Sequence, residues 1–262
     1  ASMMPLVTQA LPSVMTLGSL FCGLLAAIKA MEGTEEAFVT AAWLIIAAGL
    51  FDGLDGKVSR IFKTQSHFGV ELDSIVDVCS FGFAPALLIY QFILLNASGF
   101  SGIAFPVAFV FLACGALRLA RFNAQLKGFD KAAFKGVPIP AGAGMVASFV
   151  VFSRSEFIID LGIDWVLPFL AFGMALLMVS TVRYDKMPRF SWHGPTSERV
   201  RLVVMIAFLV IAVWYPAEAF FSFGVYYVLY GLVRALGNAF VRHPAVAPGQ
   251  PSLERVKEGS RR

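Results

Sequence analysis

Charge is what this chain is short of. Only 15% of its 262 residues are Asp, Glu, Lys or Arg, where a soluble domain carries about 25%. Apolar residues make up 58% of it and mean hydropathy is +0.75. That balance excludes a water-soluble globular domain and predicts an integral membrane protein. Cysteine is sparse too. Cys22, Cys79 and Cys114 all lie in apolar segments without CxxC or Cys/His spacing, so they read as small buried hydrophobes. The chain shows no internal repeat and no low-complexity tract. No cleavable signal peptide is expected, because the first apolar run continues as a spanning helix.

What is present is a series of apolar segments separated by loops of alternating character. A spanning helix needs about 20 mostly apolar residues. Eight segments fit that pattern, over 12–30, 37–54, 71–95, 103–122, 138–153, 162–182, 199–215 and 217–238. The fifth is short, and the last two are parted only by a turn around Pro216. The fold expected is all-α, a polytopic membrane bundle of about eight helices. From about Arg242 the chain, with its prolines, glycine, serine and charges, reads as a disordered tail.

The loops sort by charge. Four of them (31–36, 96–102, 155–164 and 215–218) contain no Lys or Arg, while 19 of the 21 basic residues fall in the alternate loops and the tail. Only Lys29 and Arg154 stand on the other side. The positive-inside rule therefore predicts a cell membrane protein with both termini in the cytoplasm. The net charge of +4 reflects this topology and contact with lipid headgroups, and argues against nucleic acid.

Four aspartates break the apolar pattern. Asp52 and Asp55 are three apart where the second helix is expected to leave the membrane. Asp73 and Asp77 are four apart at the start of the third. On a helix each spacing puts both carboxylates on one face. Two helix ends joined by a short basic turn would bring all four together on the cytoplasmic side. Ionised groups near a bilayer core normally mark function, and four adjacent carboxylates need protons or cations to offset their repulsion. An all-oxygen set suits Mg²⁺ or Mn²⁺, with Ca²⁺ also within its range. A pair of such ions could bind a pyrophosphate and stabilise a leaving phosphate. Arg60 could join that phosphate site, and Gly56 and Gly69 would let phosphates approach the backbone. Lys57 and Lys63 fit an ordinary positive-inside role. As a base, Asp77 is better placed than His67.

This segment resembles, position by position, the signature of the CDP-alcohol phosphotransferases, D-x2-D-G-x2-A-R-x8-G-x3-D-x3-D. It appears here as Asp52, Asp55, Gly56, Ser59, Arg60, Gly69, Asp73 and Asp77, with Ser59 where the family usually has Ala. The resemblance implies six core transmembrane helices, a homodimer and a polar cavity open to the cytoplasm. It implies that Asp52, Asp55, Asp73 and Asp77 bind two metal ions. Gly56, Ser59, Arg60 and Gly69 would contact the CDP moiety, and Asp77 would be the general base for the incoming alcohol.

Further stretches are similar to bacterial and archaeal phosphatidylserine synthases. They are PSVMTLGSLFCG (12–23), TQSHFG (64–69), FGFAPA (81–86), LRLARFN (117–123), FKGVPIPAGAG (134–144) and LMVSTVRY (177–184), with Ser13 where Asn is common. On this resemblance residues 1–185 form the core, 186–240 add two helices, and 241–262 are the tail. It implies transfer from CDP-diacylglycerol to L-serine. Arg118 and Arg121, three apart, could face one cavity and hold the serine carboxylate bidentately. Asn123 could orient polar groups, and Lys135 is a further candidate. The same chemistry with glycerol 3-phosphate, an inositol phosphate or choline as acceptor stays open. An ion-coupled transporter is a remoter alternative, disfavoured by the lack of repeated halves.

Overall fold

The computed structural model describes residues 4–62, 67–126, 136–180 and 213–241. Regular structure among them is entirely helical. In chain order it comprises α1 (Met4–Glu32), α2 (Glu35–Phe62), α3 (His67–Asp77), a π-helical segment (Val78–Phe83), α4 (Ala84–Asn96), α5 (Ala104–Leu126), α6 (Ile139–Ser153), α7 (Val166–Val179) and α8 (Pro216–Val241). Five spans are long and apolar enough to cross a membrane: Ser13–Glu32, Glu35–Val58, Phe68–Asn96, Ser101–Ala124 and Pro216–Val233. Ile139–Ser153 and Ile163–Val179 are shorter apolar helices. Most of the expected seventh helix and the tail from Arg242 lie outside the described residues.

The α1–α2 corner follows from local chemistry. Gly33 takes φ +69° just past α1, the left-handed position that glycine fills without a Cβ penalty. Thr34 then caps α2, its Oγ1 accepting from the Ala37 N–H at 3.3 Å. Glu35 and Glu36 fill the first turn of α2, where the helix dipole favours negative charge. Ala26, Ala27, Ala30, Ala41, Ala42 and Ala48 are buried in the core. Small residues let membrane helices approach closely where no hydrophobic force separates them from lipid.

One expectation fails here. The apolar pattern ends the second helix near residue 54 and predicts a basic turn beyond it. Instead α2 continues to Phe62, so Gly56, Ser59 and Arg60 are helical. The stretch has no proline and follows a long helix already nucleated, so adding residues is cheaper than stopping.

At the far end from the aspartates, four elements are tied by one cation. The Arg154 guanidinium pairs with Glu35 through Nε and with Asp164 through Nη1 at 2.6 Å and Nη2 at 3.2 Å. It also lies 4.8 Å from the centre of the Phe92 ring. Asn96 Nδ2 donates to Glu35 Oε1 at 2.5 Å. Burial works to lower the Arg154 pKa, but the hydrogen bonds and charges of Asp164 and Glu35 outweigh it and hold the guanidinium above its ordinary value. The knot joins the start of α2, the end of α4, the end of α6 and the turn before α7.

Helix α6 is the most enclosed rod, with Val146, Ala147 and Val150 fully buried. Its start is locked to the end of α7. Gly136 has φ +81°, and any Cβ there would run into the Met178 carbonyl. The Val137 N–H donates to the Leu177 carbonyl at 3.1 Å. Helix α8 packs on α6 through Phe221, which stacks on Phe152 with centroids 4.6 Å apart.

Candidate active site

The site forms in the last turns of α2 and the second half of α3, whose final residue is Asp77. One carboxylate oxygen from each of Asp52, Asp55 and Asp73 lies within 4.8 Å of the others. Asp77, one turn beyond Asp73, is within electrostatic range of all three and of the Arg118 guanidinium on α5. The i, i+3 and i, i+4 spacings do this by putting each pair on one face of its helix. Asp55 is the most enclosed, at 7% exposure. It accepts from Thr16 Oγ1 on α1 at 2.8 Å and from the Gly56 backbone N–H.

Among the described residues, no Lys or Arg forms an ion pair with Asp52, Asp55 or Asp73. Three oxygens of like charge this close, with two hydrogen bonds to only one of them, form an unbalanced set. A hard divalent cation fits that donor set, since carboxylate oxygens suit Mg²⁺, Mn²⁺ and Ca²⁺.

The remaining sequence-predicted residues divide. Gly56 and Gly69 are half-buried beside the aspartates along their helices. Ser59 and Arg60 fall on α2, one to two turns past Asp55, while Lys135 lies outside the described residues. Arg118 and Arg121 do not share one environment. About 60° of helix rotation separates residues three apart, and only Arg118 turns inward. It is half-buried and feels both Asp77 and Tyr227 of α8, and its Nε has no hydrogen-bond partner among the described residues. Arg121 is exposed. Asn123 Nδ2 donates to Ser74 Oγ at 2.9 Å, which ties α5 to α3 next to Asp73.

Sequence reasoning missed Thr16, Ser74 and Tyr227. For Thr16 a signal existed: Thr16 and Ser19 are polar residues three apart in an apolar helix, a pattern that membrane helices use toward partners. Ser74 and Tyr227 gave none.

Residues 9–180 match the family model described as CDP-alcohol phosphatidyltransferase. The chain is 35% identical to a Helicobacter pylori protein named CDP-diacylglycerol–serine O-phosphatidyltransferase over 227 residues, 86% of this chain and 90% of that one. A Mycobacterium tuberculosis protein of the same name is 33% identical over 265 residues, covering 97% of this chain and 88% of its own length. The archaetidylserine synthase of Methanothermobacter thermautotrophicus is 35% identical over 179 residues, 68% of this chain and 70% of its own.

Proposed function

Because the chain belongs to the CDP-alcohol phosphatidyltransferase family, we propose that it transfers the phosphatidyl group of CDP-diacylglycerol to the hydroxyl of L-serine, yielding phosphatidylserine and CMP. The observation that carries this reading is the convergence of Asp52, Asp55 and Asp73 within 4.8 Å, with Asp77 and Arg118 alongside. The relatives' names support serine as the acceptor.

In this reading Asp52, Asp55, Asp73 and Asp77 hold two divalent cations, Mg²⁺ or Mn²⁺. When bound, these supply the positive charge that offsets the pyrophosphate and the leaving phosphate. Gly56, Ser59, Arg60 and Gly69 hold the CDP moiety. Asp77 accepts the proton of the serine hydroxyl as that oxygen bonds to the phosphorus carrying the lipid. The bond from this phosphorus to the CMP oxygen breaks, and CMP leaves with the electron pair. Arg118, whose buried Nε has no hydrogen-bond partner among the described residues, takes the serine carboxylate. Arg121 lends positive charge nearby, and Asn123 keeps α5 against α3.

The basic loops support a site and both termini facing the cytoplasmic side of the cell membrane. The working unit is a homodimer, with residues 1–185 as the catalytic core and 186–240 as an addition to it; the tail expected from Arg242 lies outside the described residues.

The test is CMP release by purified protein given CDP-diacylglycerol and Mn²⁺ or Mg²⁺, with serine, glycerol 3-phosphate, inositol 1-phosphate and choline compared. Serine-selective release that EDTA and Asp77→Asn abolish is the expected result. Equal turnover of another acceptor overturns serine while leaving the chemistry, and no release by folded protein overturns both.

A further inference from the structure

Directly after Asp77 the helix changes its winding. Across Val78–Phe83 it widens to a π turn, with the Ala84 N–H donating to the Cys79 carbonyl five residues back. A π turn fits an extra residue into the ladder and is frequent at functional sites. Against an uninterrupted α-helix, one added residue shifts the phase of α3 relative to α4 by about 100°. That shift decides which way Asp77 points.

The α4 side of this junction cannot yield, because Leu88, Ile89, Phe92 and Ile93 are all fully buried. Any change in the π turn therefore falls on α3 and its two aspartates. The turn is held by α1. Ser80, at 0% exposure, donates through Oγ to the Ser19 carbonyl at 3.1 Å. Opposite it stands Gly23. A Cβ on Gly23 would come 2.7 Å from Ser80 Cα and 2.6 Å from Ser80 Oγ, so only glycine permits the approach. Thr16, which donates to Asp55, is on the same face of α1 as Ser19 and Gly23, at i, i+3 and i+7. Helix α1 thus references both aspartate pairs to one rod.

We propose that the Ser80 clamp on the π turn sets the direction of the Asp77 carboxylate, with Ser80 and Gly23 as positioning residues for the transfer step. The inference rests on Asp77 being the base, as read above. Neither residue touches substrate.

The experiment compares wild type, Ser80→Ala, Ser80→Cys, Gly23→Ala and Gly49→Ala as purified full-length protein. CMP release gives kcat and the KM for serine, and electron paramagnetic resonance counts bound Mn²⁺ without substrate. Gly49 is the control, since a Cβ there meets the π segment's Phe81 at an ordinary 3.8 Å. In Ser80→Ala and Gly23→Ala, kcat should fall about tenfold or more with KM within about twofold, the signature of lost transition-state alignment. Ser80→Cys, which keeps a weak donor, should fall between them and wild type. Mn²⁺ should still bind to Asp52, Asp55 and Asp73, while the ion that needs Asp77 binds more weakly.

Unchanged kcat and Mn²⁺ binding in Ser80→Ala overturn the proposal, as does equal damage in Gly49→Ala. A loss of activity that merely follows loss of folded protein in both Ser80→Ala and Gly23→Ala assigns the contact to folding and overturns it too. If wild type itself releases no CMP, the functional reading has failed. In that case a Mn²⁺ defect confined to Ser80→Ala and Gly23→Ala still supports the clamp, and its absence still overturns it.

Discussion

The two ends of the bundle treat buried charge in opposite ways. At one end Arg154 sits between Glu35 and Asp164, with Asn96 and the Phe92 ring completing its surroundings. One cation meets two anions, and each donor has a nearby acceptor. At the other end Asp52, Asp55 and Asp73 crowd together without a basic partner among the described residues. Compensated charge fixes helix ends, whereas uncompensated charge costs stability and is kept because something else must bind there. Acidic residues at the two ends of α2 therefore have unrelated meanings.

Substitutions can break this contrast or sharpen it. The largest effect is expected at the unbalanced end. Asp52→Asn should cut CMP release about 10²- to 10⁴-fold, the scale seen when a group acting at the reacting centre is lost. Thermal stability measured without metal should hold or rise, since a repelling charge is gone. A fall in stability would show that the cluster is structural after all.

Next comes Arg118→Lys, which keeps the charge but loses the planar fork. It should raise the KM for serine about 10- to 100-fold, as expected for a lost charged hydrogen bond of about 1.5–3 kcal/mol. An unchanged KM would move the carboxylate contact elsewhere.

At the balanced end the reverse pattern is expected. Arg154→Ala should lower unfolding stability by about 1–3 kcal/mol, less than for a fully buried pair because the Glu35 side chain is 58% exposed. Its kcat should stay near wild type at temperatures where the protein remains folded. Replacing the set together (Glu35→Gln, Arg154→Met, Asp164→Asn) should recover most of the loss, because no unpaired charge is left. Smallest is Thr16→Val, which removes one donor from Asp55 and should lower activity about 2- to 10-fold, with Thr16→Ser near wild type. Circular-dichroism melts and CMP release, run side by side, separate the four outcomes.

These contrasts also mark how far the sequence could be read. The aspartate spacing was legible because i, i+3 and i, i+4 pairs are local, and a helix converts spacing directly into a shared face. The apolar segments within the described residues were legible for the same reason, down to the short α6. What escaped was the outcome of distant packing. The Arg154–Glu35 pair spans 119 residues and the Thr16–Asp55 bond 39, and neither leaves a periodic trace. The π turn inside 71–95 escaped because VCSFGF is as apolar as its flanks, so winding changes without any change in pattern. The run of α2 to Phe62 escaped because the apolar pattern stops near residue 54, while the helix itself continues through the polar and basic residues beyond it. Arg118 and Arg121 looked equivalent by spacing, and only the packing of α5 separates them.

The Arg154 knot also serves as a depth gauge. Counted along α2 from Glu35, the rise of 1.5 Å per residue carries Asp52 about 26 Å and Asp55 about 30 Å away. The hydrocarbon layer is about 30 Å thick. With the knot at one boundary, the carboxylates stand at the opposite one, where acyl chains give way to phosphates. A donor lipid can then present its pyrophosphate without rising out of its own leaflet, and the product is left in the leaflet that supplied the donor.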